Sequence, residues 1–539
     1  MSLHLSPVAR IFNLVREEKA EISAIYFYAI CNGLIQLSLP VGIQAIIGFI
    51  MAGTLSASLV LLISLIVAGV LLVGLLQMAQ MKMIEKIQQK IFVRNAFAFA
   101  HRIPRLDLKA VDNYYLPELV NRFFDTVSLQ KGISKLLLDL PVAVIQILFG
   151  LILLSFYHPA FILFGVLLIA VLGGILYATG SRGLESSLAE SSYKYGVAGW
   201  LEELGRMVKS FKFATGSNLP LQRADERTVH YLDARTRHFR VLLTQYRTLV
   251  VFKVFITAAM LIVGVVLLLG QQINVGQFVA AEIIIVSVIA SVEKIIVNLE
   301  NVYDVLTSVE KIGKLTDKPL EQSGRYRLEA DGIAIRAQEL GFSFGSRPLL
   351  RQLSFSIGAG QKVCVTGPDG SGKSTLLRLL TGAYRDFDGA LLINEVPVGN
   401  FDLDSLRSRT GIFFLGEHIF NGTLMENLTL GRSTDAAWLR ELVAATGLLQ
   451  FLATLPQGFD TELDATGKRL PQNVVHKILF VRALAQKPLL LLMEDPWRHI
   501  EEPYRGGLRN LLLSLPGTTV LIATNDPECL ARANQVVRL

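Results

Sequence analysis

Residues 367–375 read Gly367-Pro368-Asp369-Gly370-Ser371-Gly372-Lys373-Ser374-Thr375, which fits the pattern G-x-x-x-x-G-K-[ST]. The apolar run 361–366 before this loop is short enough for a buried strand, and the run 376–380 after it has the composition of a helix. Strand, glycine-rich loop and helix in this order are typical of the phosphate-binding loop of nucleoside triphosphatases. The stretch therefore predicts a nucleotide-binding α/β domain, and a chance glycine turn is the weaker alternative.

The residue types of this loop suit a chain of phosphates. Glycines let backbone N–H groups approach a phosphate without a Cβ clash, and the start of the following helix adds partial positive charge. Lys373 is expected to reach the β- and γ-phosphates, and Ser374 is expected to ligate the Mg²⁺ that accompanies them. Binding of ATP or GTP follows from the loop, whereas hydrolysis depends on residues elsewhere.

The first half of the chain is too apolar for a soluble protein. Of the 539 residues 52% are apolar and 18% are charged, and no charged residue occurs in 22–81, 140–181 or 254–281. Because about 20 apolar residues cross a bilayer, these runs predict six membrane spans. We place them at about 22–50, 57–78, 138–157, 160–180, 249–269 and 275–297.

The net charge of +7 has a membrane explanation. Basic residues concentrate between the span pairs, in 82–135 and 182–247, where the positive-inside rule predicts cytoplasmic excursions. We therefore expect no nucleic-acid partner and both termini in the cytoplasm. The three cysteines are too few and too scattered for a disulfide framework or a metal site. Polar residues 314–326 predict a linker, so we divide the chain into domains 1–325 and 326–539.

Several stretches resemble the ATP-binding-cassette (ABC) exporters. The resemblance rests on the loop 367–375, on Leu455-Pro456-Gln457-Gly458-Phe459-Asp460-Thr461-Glu462, and on weaker matches at 420–428 and 482–484. In the first half, 117–122 and 201–213 are similar to the family's two coupling excursions. The resemblance implies an α-helical six-span transmembrane domain followed by an α/β nucleotide-binding domain, in the bacterial inner membrane. It also implies ATP and Mg²⁺ as cofactors, a homodimer or heterodimer of half-transporters, and export of a substrate that the sequence does not identify.

The same resemblance assigns Phe344 to stack on adenine, although a core phenylalanine like Phe342 is the alternative. The family signature, Leu-Ser-Gly-Gly-Gln, corresponds here to Leu470-Pro471-Gln472-Asn473-Val474. In the family, this segment closes over the γ-phosphate held by the partner subunit. Pro471 has neither a hydroxyl nor a backbone N–H, and Gln472 and Asn473 add side chains where the backbone must come close.

The other catalytic positions depart from the family as well. The strand-end Asp-Glu pair is Glu494-Asp495, which leaves the expected general base one methylene short. The glutamine that senses Mg²⁺ and the attacking water corresponds to Leu415, and the switch histidine corresponds to Thr524. Because a misplacement of about 1 Å can cost roughly 100-fold in rate, these changes predict a chain that binds ATP but hydrolyses it slowly or not at all.

Three hypotheses remain open at the level of sequence. The first is an ABC exporter subunit that couples dimerisation of its nucleotide-binding domains to export. The second is a non-pumping ATP-binding subunit with a regulatory or scaffolding role, which the eroded motifs favour. A membrane-tethered kinase or other P-loop enzyme is weaker, because it leaves six spans and two excursions unexplained.

Overall fold

The computed structural model describes residues 6–53, 57–112, 114–345, 347–464 and 470–539. These residues form two compact units. The first holds the described residues of Met1–Arg105 and Asn113–Pro319, and the second holds those of Leu106–Asp112 and Leu320–Leu539. We call them the helical unit and the α/β unit. The short segment 106–112 thus belongs to the α/β unit, although its neighbours in sequence belong to the helical unit.

Long helices joined by short turns build the helical unit. In chain order the helices up to residue 316 are α1 (Pro7–Glu17), α2 (Lys19–Met51), α3 (Ala57–Arg102), α4 (Leu108–Val111, in the α/β unit), α5 (Leu116–Val120), α6 (Asp125–Tyr157), α7 (Ala160–Arg206), α8 (Val208–Phe213), α9 (Leu219–Leu269), α10 (Val275–Val297) and α11 (Leu299–Thr316). Among the described residues, six helices are long and apolar enough to cross a membrane, and they contain the six predicted spans. The prediction of six spans is therefore confirmed.

Most of these helices extend far beyond the apolar stretches. The 51-residue α9 is about 75 Å long at 1.5 Å per residue, whereas the hydrocarbon core of a bilayer is about 30 Å thick. The predicted excursions are largely continuous helix, because their charged residues are good helix formers and few breakers interrupt them. The predicted linker 314–326 also begins as helix, since α11 ends at Thr316.

Polar contacts hold the extended helices together within the helical unit. Trp200 on α7 donates from Nε1 to the carbonyl oxygen of Pro220 on α9 at 3.1 Å. The buried Gln245 on α9 donates to the hydroxyl of Tyr303 on α11 at 2.8 Å. The ring of Tyr303 lies against Gly183 of α7, where a Cβ would come within 2.2 Å of it. These helix extensions therefore pack as one bundle rather than as flexible loops.

The α/β unit combines two main sheets. Its strands are β1 (Ile335–Phe344), β2 (Arg347–Ile357), β3 (Lys362–Thr366), β4 (Asp388–Ile393), β5 (Val396–Pro397), β6 (Thr410–Phe413), β7 (Gly422–Thr423), β8 (Glu462–Leu463), β9 (Leu490–Glu494), β10 (Thr519–Ala523) and β11 (Gln535–Arg538). One sheet is antiparallel with the order β2-β1-β4-β5. The other is parallel with the order β11-β3-β10-β9-β6, and β7 pairs with β8 separately.

Helices cover the parallel sheet and complete two hydrophobic cores. They are α12 (Lys373–Leu380), α13 (Leu403–Ser408), α14 (Leu424–Thr429), α15 (Ala436–Ala445), α16 (Leu448–Leu452), α17 (Gln472–Leu484), α18 (Glu502–Ser514) and α19 (Pro527–Arg532). Parallel strands present their carboxyl ends at one edge of the sheet, where ligands of open α/β sheets bind. That edge carries the ends of β3, β9 and β10, each followed by a predicted site residue.

A buried lysine supports the strand that leads into the phosphate-binding loop. Lys362 opens β3 and is 7% exposed. Its Nζ donates to the carbonyl oxygens of Gly360 at 3.0 Å and Leu515 at 2.8 Å, and also to that of Thr518. Leu515 is the residue that follows α18, so the lysine satisfies a carbonyl group at the helix terminus that has no intrahelical partner.

We predict that Lys362→Met destabilises the α/β unit by about 2 kcal/mol, because three buried carbonyl groups lose their charged donor while side-chain volume is kept. Lys487→Met is the matched control. Lys487 pairs with Asp435 at 57% side-chain exposure, and exposed pairs contribute about 0–1 kcal/mol. Pulse proteolysis across a urea series measures both unfolding midpoints, and equal midpoints for the two variants would contradict the role given to Lys362.

Candidate nucleotide site

The predicted phosphate-binding loop connects β3 to α12. Gly370 and Gly372 adopt φ angles of 82° and 96°, a region that residues with a Cβ rarely enter. At Gly367 the constraint is space, since a Cβ there would lie 2.9 Å from the carbonyl oxygen of Leu539. The tip of the loop, 368–370, is exposed. The backbone turn therefore needs its glycines and is open to a ligand.

Several groups around this turn fit a phosphate chain. The Oγ of Ser371 is buried and has no hydrogen-bond partner among the residues that the structure describes, and α12 begins without a side-chain cap. The Nζ of Lys373 donates to the carbonyl oxygens of Gly367 at 2.7 Å and Pro368 at 2.9 Å, so its charge lies over the loop. Helix N-termini and such lysines bind phosphate oxygens. Ser374 and Thr375 continue α12 from the same terminus.

Asn525 is a contact of this loop that the motifs did not identify. Its Oδ1 accepts hydrogen bonds from the hydroxyl of Thr366 at 2.7 Å and from the backbone N–H of Gly367 at 3.4 Å, and its Nδ2 donates to the carbonyl oxygen of Gly367 at 3.3 Å. The preceding Thr524, at the predicted switch position, is 2% exposed, and its hydroxyl accepts from the N–H of Asp526. Asn525 rather than Thr524 therefore contacts the loop through its side chain.

The carboxylate of Glu494 lies at the end of β9. It is 3% exposed, its Oε2 accepts from the backbone N–H of Leu415 at 3.0 Å, and its Oε1 has no partner in the described part of the chain. A buried carboxylate with an unused oxygen at this sheet edge fits a water-mediated contact with nucleotide-bound Mg²⁺. Asp495 follows with a φ of 38°, and its N–H donates to the carbonyl oxygen of Ala523. Leu415 presents only hydrocarbon, with 41% of it exposed.

Phe344 and Phe342 differ in their surroundings. Phe342 is 5% exposed and Phe344 is 38% exposed. Phe342 pairs with Leu350 of β2, and a Cδ atom of Leu350 would lie 2.7 Å from a Cβ placed on Gly372. The end of β1 therefore lies beside the phosphate-binding loop. Phe342 is a core residue, whereas the open ring of Phe344 is compatible with base stacking.

The stretch 470–474 forms the start of α17. Pro471 is the residue before the helix, and Gln472 is its first residue. The Nδ2 of Asn473 donates to Glu501 at 2.6 Å, and Glu501 forms an ion pair with the buried Lys477 at 2.8 Å. Side chains therefore fill the helix start at the positions that the sequence resemblance assigns to glycine, and the cluster connects α17 to the chain that follows β9.

Comparison with known families agrees with this arrangement. Residues 22–292 match the ABC transporter transmembrane region, and residues 350–498 match the ABC transporter family. The chain belongs to the ABC transporters. It is an integral, multi-pass membrane protein with a C-terminal nucleotide-binding domain, as the sequence predicted.

Individual relatives are more distant. The chain is 29% identical over 301 residues to an ATP-dependent lipid A-core flippase of Burkholderia orbicola, an alignment that covers 55% of this chain and 50% of the flippase. It is 33% identical over 227 residues to a multidrug efflux ATP-binding/permease protein of Mycobacterium tuberculosis, covering 41% and 18%. These alignments span half or less of the curated relatives. A bacterial Atm1-family ABC exporter with ATP bound superimposes with a TM-score of 0.85 and 18% identity, over 97% of this chain and 93% of that one.

A second acidic residue of this ABC transporter, Glu417, accompanies Glu494 and was not identified by the motifs. Burial and, to a smaller extent, the charge of Glu494 raise the pKa of Glu417 to about 7, against the opposing charge of Arg482. Within the described ranges, Oε1 of Glu417 has no hydrogen-bond partner. Arg482 is committed elsewhere, to the carbonyl oxygens of Asn427 at 2.7 Å and His418 at 3.0 Å. Two buried carboxylates therefore interact unfavourably beside Leu415.

We predict that Glu417→Gln stabilises the α/β unit at neutral and higher pH. A raised pKa means that the folded state binds the proton more tightly than the unfolded state does. The free-energy cost of keeping Glu417 ionised in the folded state is therefore absent below the usual pKa of 4.5 and complete above about 7. The gain should approach about 3 kcal/mol above pH 7, at 1.36 kcal/mol per pKa unit, and vanish near pH 4.5. Urea midpoints at both pH values test this. The exposed Glu441, changed to Gln, is the control, and an equal gain at both pH values would contradict the assignment.

Proposed function

We propose that this chain is an ABC exporter half that binds ATP and Mg²⁺, works as a dimer, and hydrolyses ATP poorly. The observation that supports this proposal best is a complete phosphate cradle, with the orphaned hydroxyl of Ser371, beside positions that cannot act on the γ-phosphate. The proposal keeps the domain division 1–325 and 326–539 and the site residues named from the sequence.

Binding would use residues that retain the family's chemistry. The backbone of Gly367–Gly372 and the start of α12 would surround the phosphates, with Lys373 placed against the β- and γ-phosphates. Ser374 would ligate the Mg²⁺, and the free Oε1 of Glu494 would contact it through water. Phe344 would stack on the base. The bound metal would neutralise phosphate charge, as it does in related nucleotide sites.

Hydrolysis would be slow because four separate positions fall short. Asp495 is too short to place a base where a glutamate would, and Leu415 can neither orient water nor contact the metal. Thr524 is buried and its hydroxyl already accepts a hydrogen bond. Pro471 lacks the N–H that would close over a partner's γ-phosphate. General-base catalysis alone contributes roughly 100- to 10,000-fold, so these losses together would leave little turnover.

ABC half-transporters generally dimerise, and the proposal extends this to the present chain. In a homodimer both composite sites would combine a weak signature with weak catalytic residues. In a heterodimer with an intact partner, each site would carry one defective half. Slow hydrolysis follows in both arrangements, so ATP binding rather than turnover would supply most of the driving force.

Export rather than scaffolding is supported by the helical unit. A cavity of about 290 Å³ lies between α2, α3, α6 and α10, and it combines aliphatic walls with the uncharged polar side chains of Gln36, Ser38, Gln146 and Ser287. A scaffold needs no such mixed lining, whereas an amphiphilic substrate suits it. The relatives named for lipid and multidrug transport agree with an amphiphile. The non-pumping alternative retains the same ATP site and differs in having no vectorial transport into liposomes.

Paired measurements of ATP binding and turnover, on the full chain in lipid, test the proposal. We predict that Lys373→Ala weakens ATP binding at least tenfold, since a charge-assisted phosphate contact contributes about 1.5–3 kcal/mol. Turnover by the unmodified chain should stay near that of the variant. A turnover of about 1 s⁻¹ or more that Lys373→Ala abolishes would overturn the claim of impaired hydrolysis.

Partial restoration of the site gives a second test. We predict that Leu415→Gln with Asp495→Glu and Pro471→Ser raises turnover at least tenfold, because each change returns a group that acts on water or the γ-phosphate. The matched control replaces Asp495→Glu with Asp495→Gln, which has the same length without a basic carboxylate. An equal rise in both combinations would show that Asp495 does not occupy the general-base position.

A further inference from the structure

The segment 106–112 is held in the α/β unit by several contacts. Leu106 forms a β-bridge with Leu320 and is 4% exposed, and Val111 is 7% exposed. Lys109 forms an ion pair with Asp386. At the end of the segment, the hydroxyl of Tyr384 donates to Oδ1 of Asp112 at 3.3 Å. We call 106–112 the docking segment; it contains α4. It lies upstream of 117–122, the stretch that resembled the family's first coupling excursion.

Tyr384 connects this segment to the rings at the end of β1. It is 5% exposed, and its ring centroid lies 5.4 Å from that of Phe342 and 5.6 Å from that of Phe344. Phe342 and Phe344 contact each other at 5.0 Å with perpendicular planes. Edge-to-face contacts of this kind favour fixed ring orientations. A change at the exposed ring of Phe344 therefore reaches Tyr384 directly.

The end of β1 that carries Phe344 lies near the phosphate-binding loop, because Leu350, the strand partner of Phe342, approaches Gly372. A base stacked on Phe344 would thus be one ring away from Tyr384 and one hydrogen bond further from Asp112. By contrast, the two positions where the family detects the γ-phosphate, Leu415 and Thr524, cannot do so here. In this chain the direct path from the nucleotide to the docking segment therefore runs from the base through Phe344 and Tyr384 to Asp112.

A second path, from the phosphates to the docking segment, is also present and leads to a different expectation. Arg378 lies on α12, which begins at the phosphate-binding loop. Burial raises the pKa of Asp112, while the hydroxyl of Tyr384 and the charge of Arg378 lower it. Phosphates bound at the start of α12 would reach Asp112 through Arg378 if α12 moved. The two paths differ in which part of the nucleotide they need.

We propose that Tyr384 is a positioning residue that makes the docking segment respond to the base of a bound adenine nucleotide, not to its γ-phosphate. The proposal rests on the nucleotide binding proposed above. It requires that ATP and ADP act alike, because both carry adenine, and that a phosphate chain without a base has no effect on the segment.

Hydrogen exchange of the full chain in lipid nanodiscs tests this proposal. The probes are Mg²⁺ with ATP, with ADP or with inorganic tripolyphosphate, each at saturation, and the readouts are peptides covering 106–112 and 367–375. We expect ATP and ADP to slow exchange in 106–112 by the same factor, about fivefold or more, the low end of allosteric couplings. Tripolyphosphate should slow exchange in 367–375 alone.

Variants separate the ring path from general packing. Tyr384→Phe keeps the ring but loses the hydrogen bond to Asp112, so it should abolish the nucleotide-dependent slowing in 106–112 while ATP affinity changes less than about twofold. Lys109→Gln is the matched control on the same segment. It removes the ion pair with Asp386, so it should raise basal exchange yet retain the response to ATP and ADP.

The outcomes distinguish this proposal from the one on which it depends. Slowing by tripolyphosphate in 106–112, or slowing by ATP without ADP, would overturn base sensing and favour the Arg378 path. Protection of 367–375 with no change in 106–112 would overturn it and leave nucleotide binding intact. No protection of 367–375 by ATP would overturn both proposals. A full response in Tyr384→Phe would remove Tyr384 from the path.

Discussion

The α/β unit is organised around the sharp turn that the chain makes after β3. The strand is buried between β10 and β11, so the loop must leave the sheet at its crowded carboxyl edge. A Cβ at Gly367 would meet the backbone of Leu539, and the side chain of Asn525 forms hydrogen bonds with the same residue. The glycines, the buried strand and the supporting Lys362 together fix the path of the chain through this turn. The positions of Glu494, Asp495 and Thr524 follow from the ends of the neighbouring strands β9 and β10.

Features governed by local chemistry were predictable from the sequence. A chain that crosses lipid forms long apolar helices, because backbone polar groups cannot remain unpaired in the bilayer core. Runs without charged residues therefore predicted all six spans. The phosphate-binding loop is a contiguous motif and was equally visible. The helical nature of the second excursion, 182–247, was not predicted, because the polar residues of α7 and α9 suit both a solvated helix and a loop. Packing of helix against helix decides between them.

Contacts between distant residues were beyond the sequence. Asn525 and Glu417 belong to no motif, and their importance arises from what β10 and the turn after β6 bring next to them. The two phenylalanines of β1 illustrate the same limit. Alternation along a strand cannot distinguish Phe342 from Phe344, since both point the same way, and only the covering rings and strands bury one of them. The contacts of the docking segment within the α/β unit were not visible from the sequence for the same reason, because they involve residues more than 200 positions away.

The cluster of Asn473, Glu501 and Lys477 carries an evolutionary consequence. Under the proposed loss of hydrolysis, changing Asn473 to the glycine of the family signature would remove a hydrogen bond and leave Glu501 with less support, while Pro471 would still lack a backbone N–H. On that proposal, a single reversion would cost stability and return no activity. Further substitutions that accommodate the cluster would deepen this barrier. Selection would then improve whatever work nucleotide binding alone can do, and would not restore the signature.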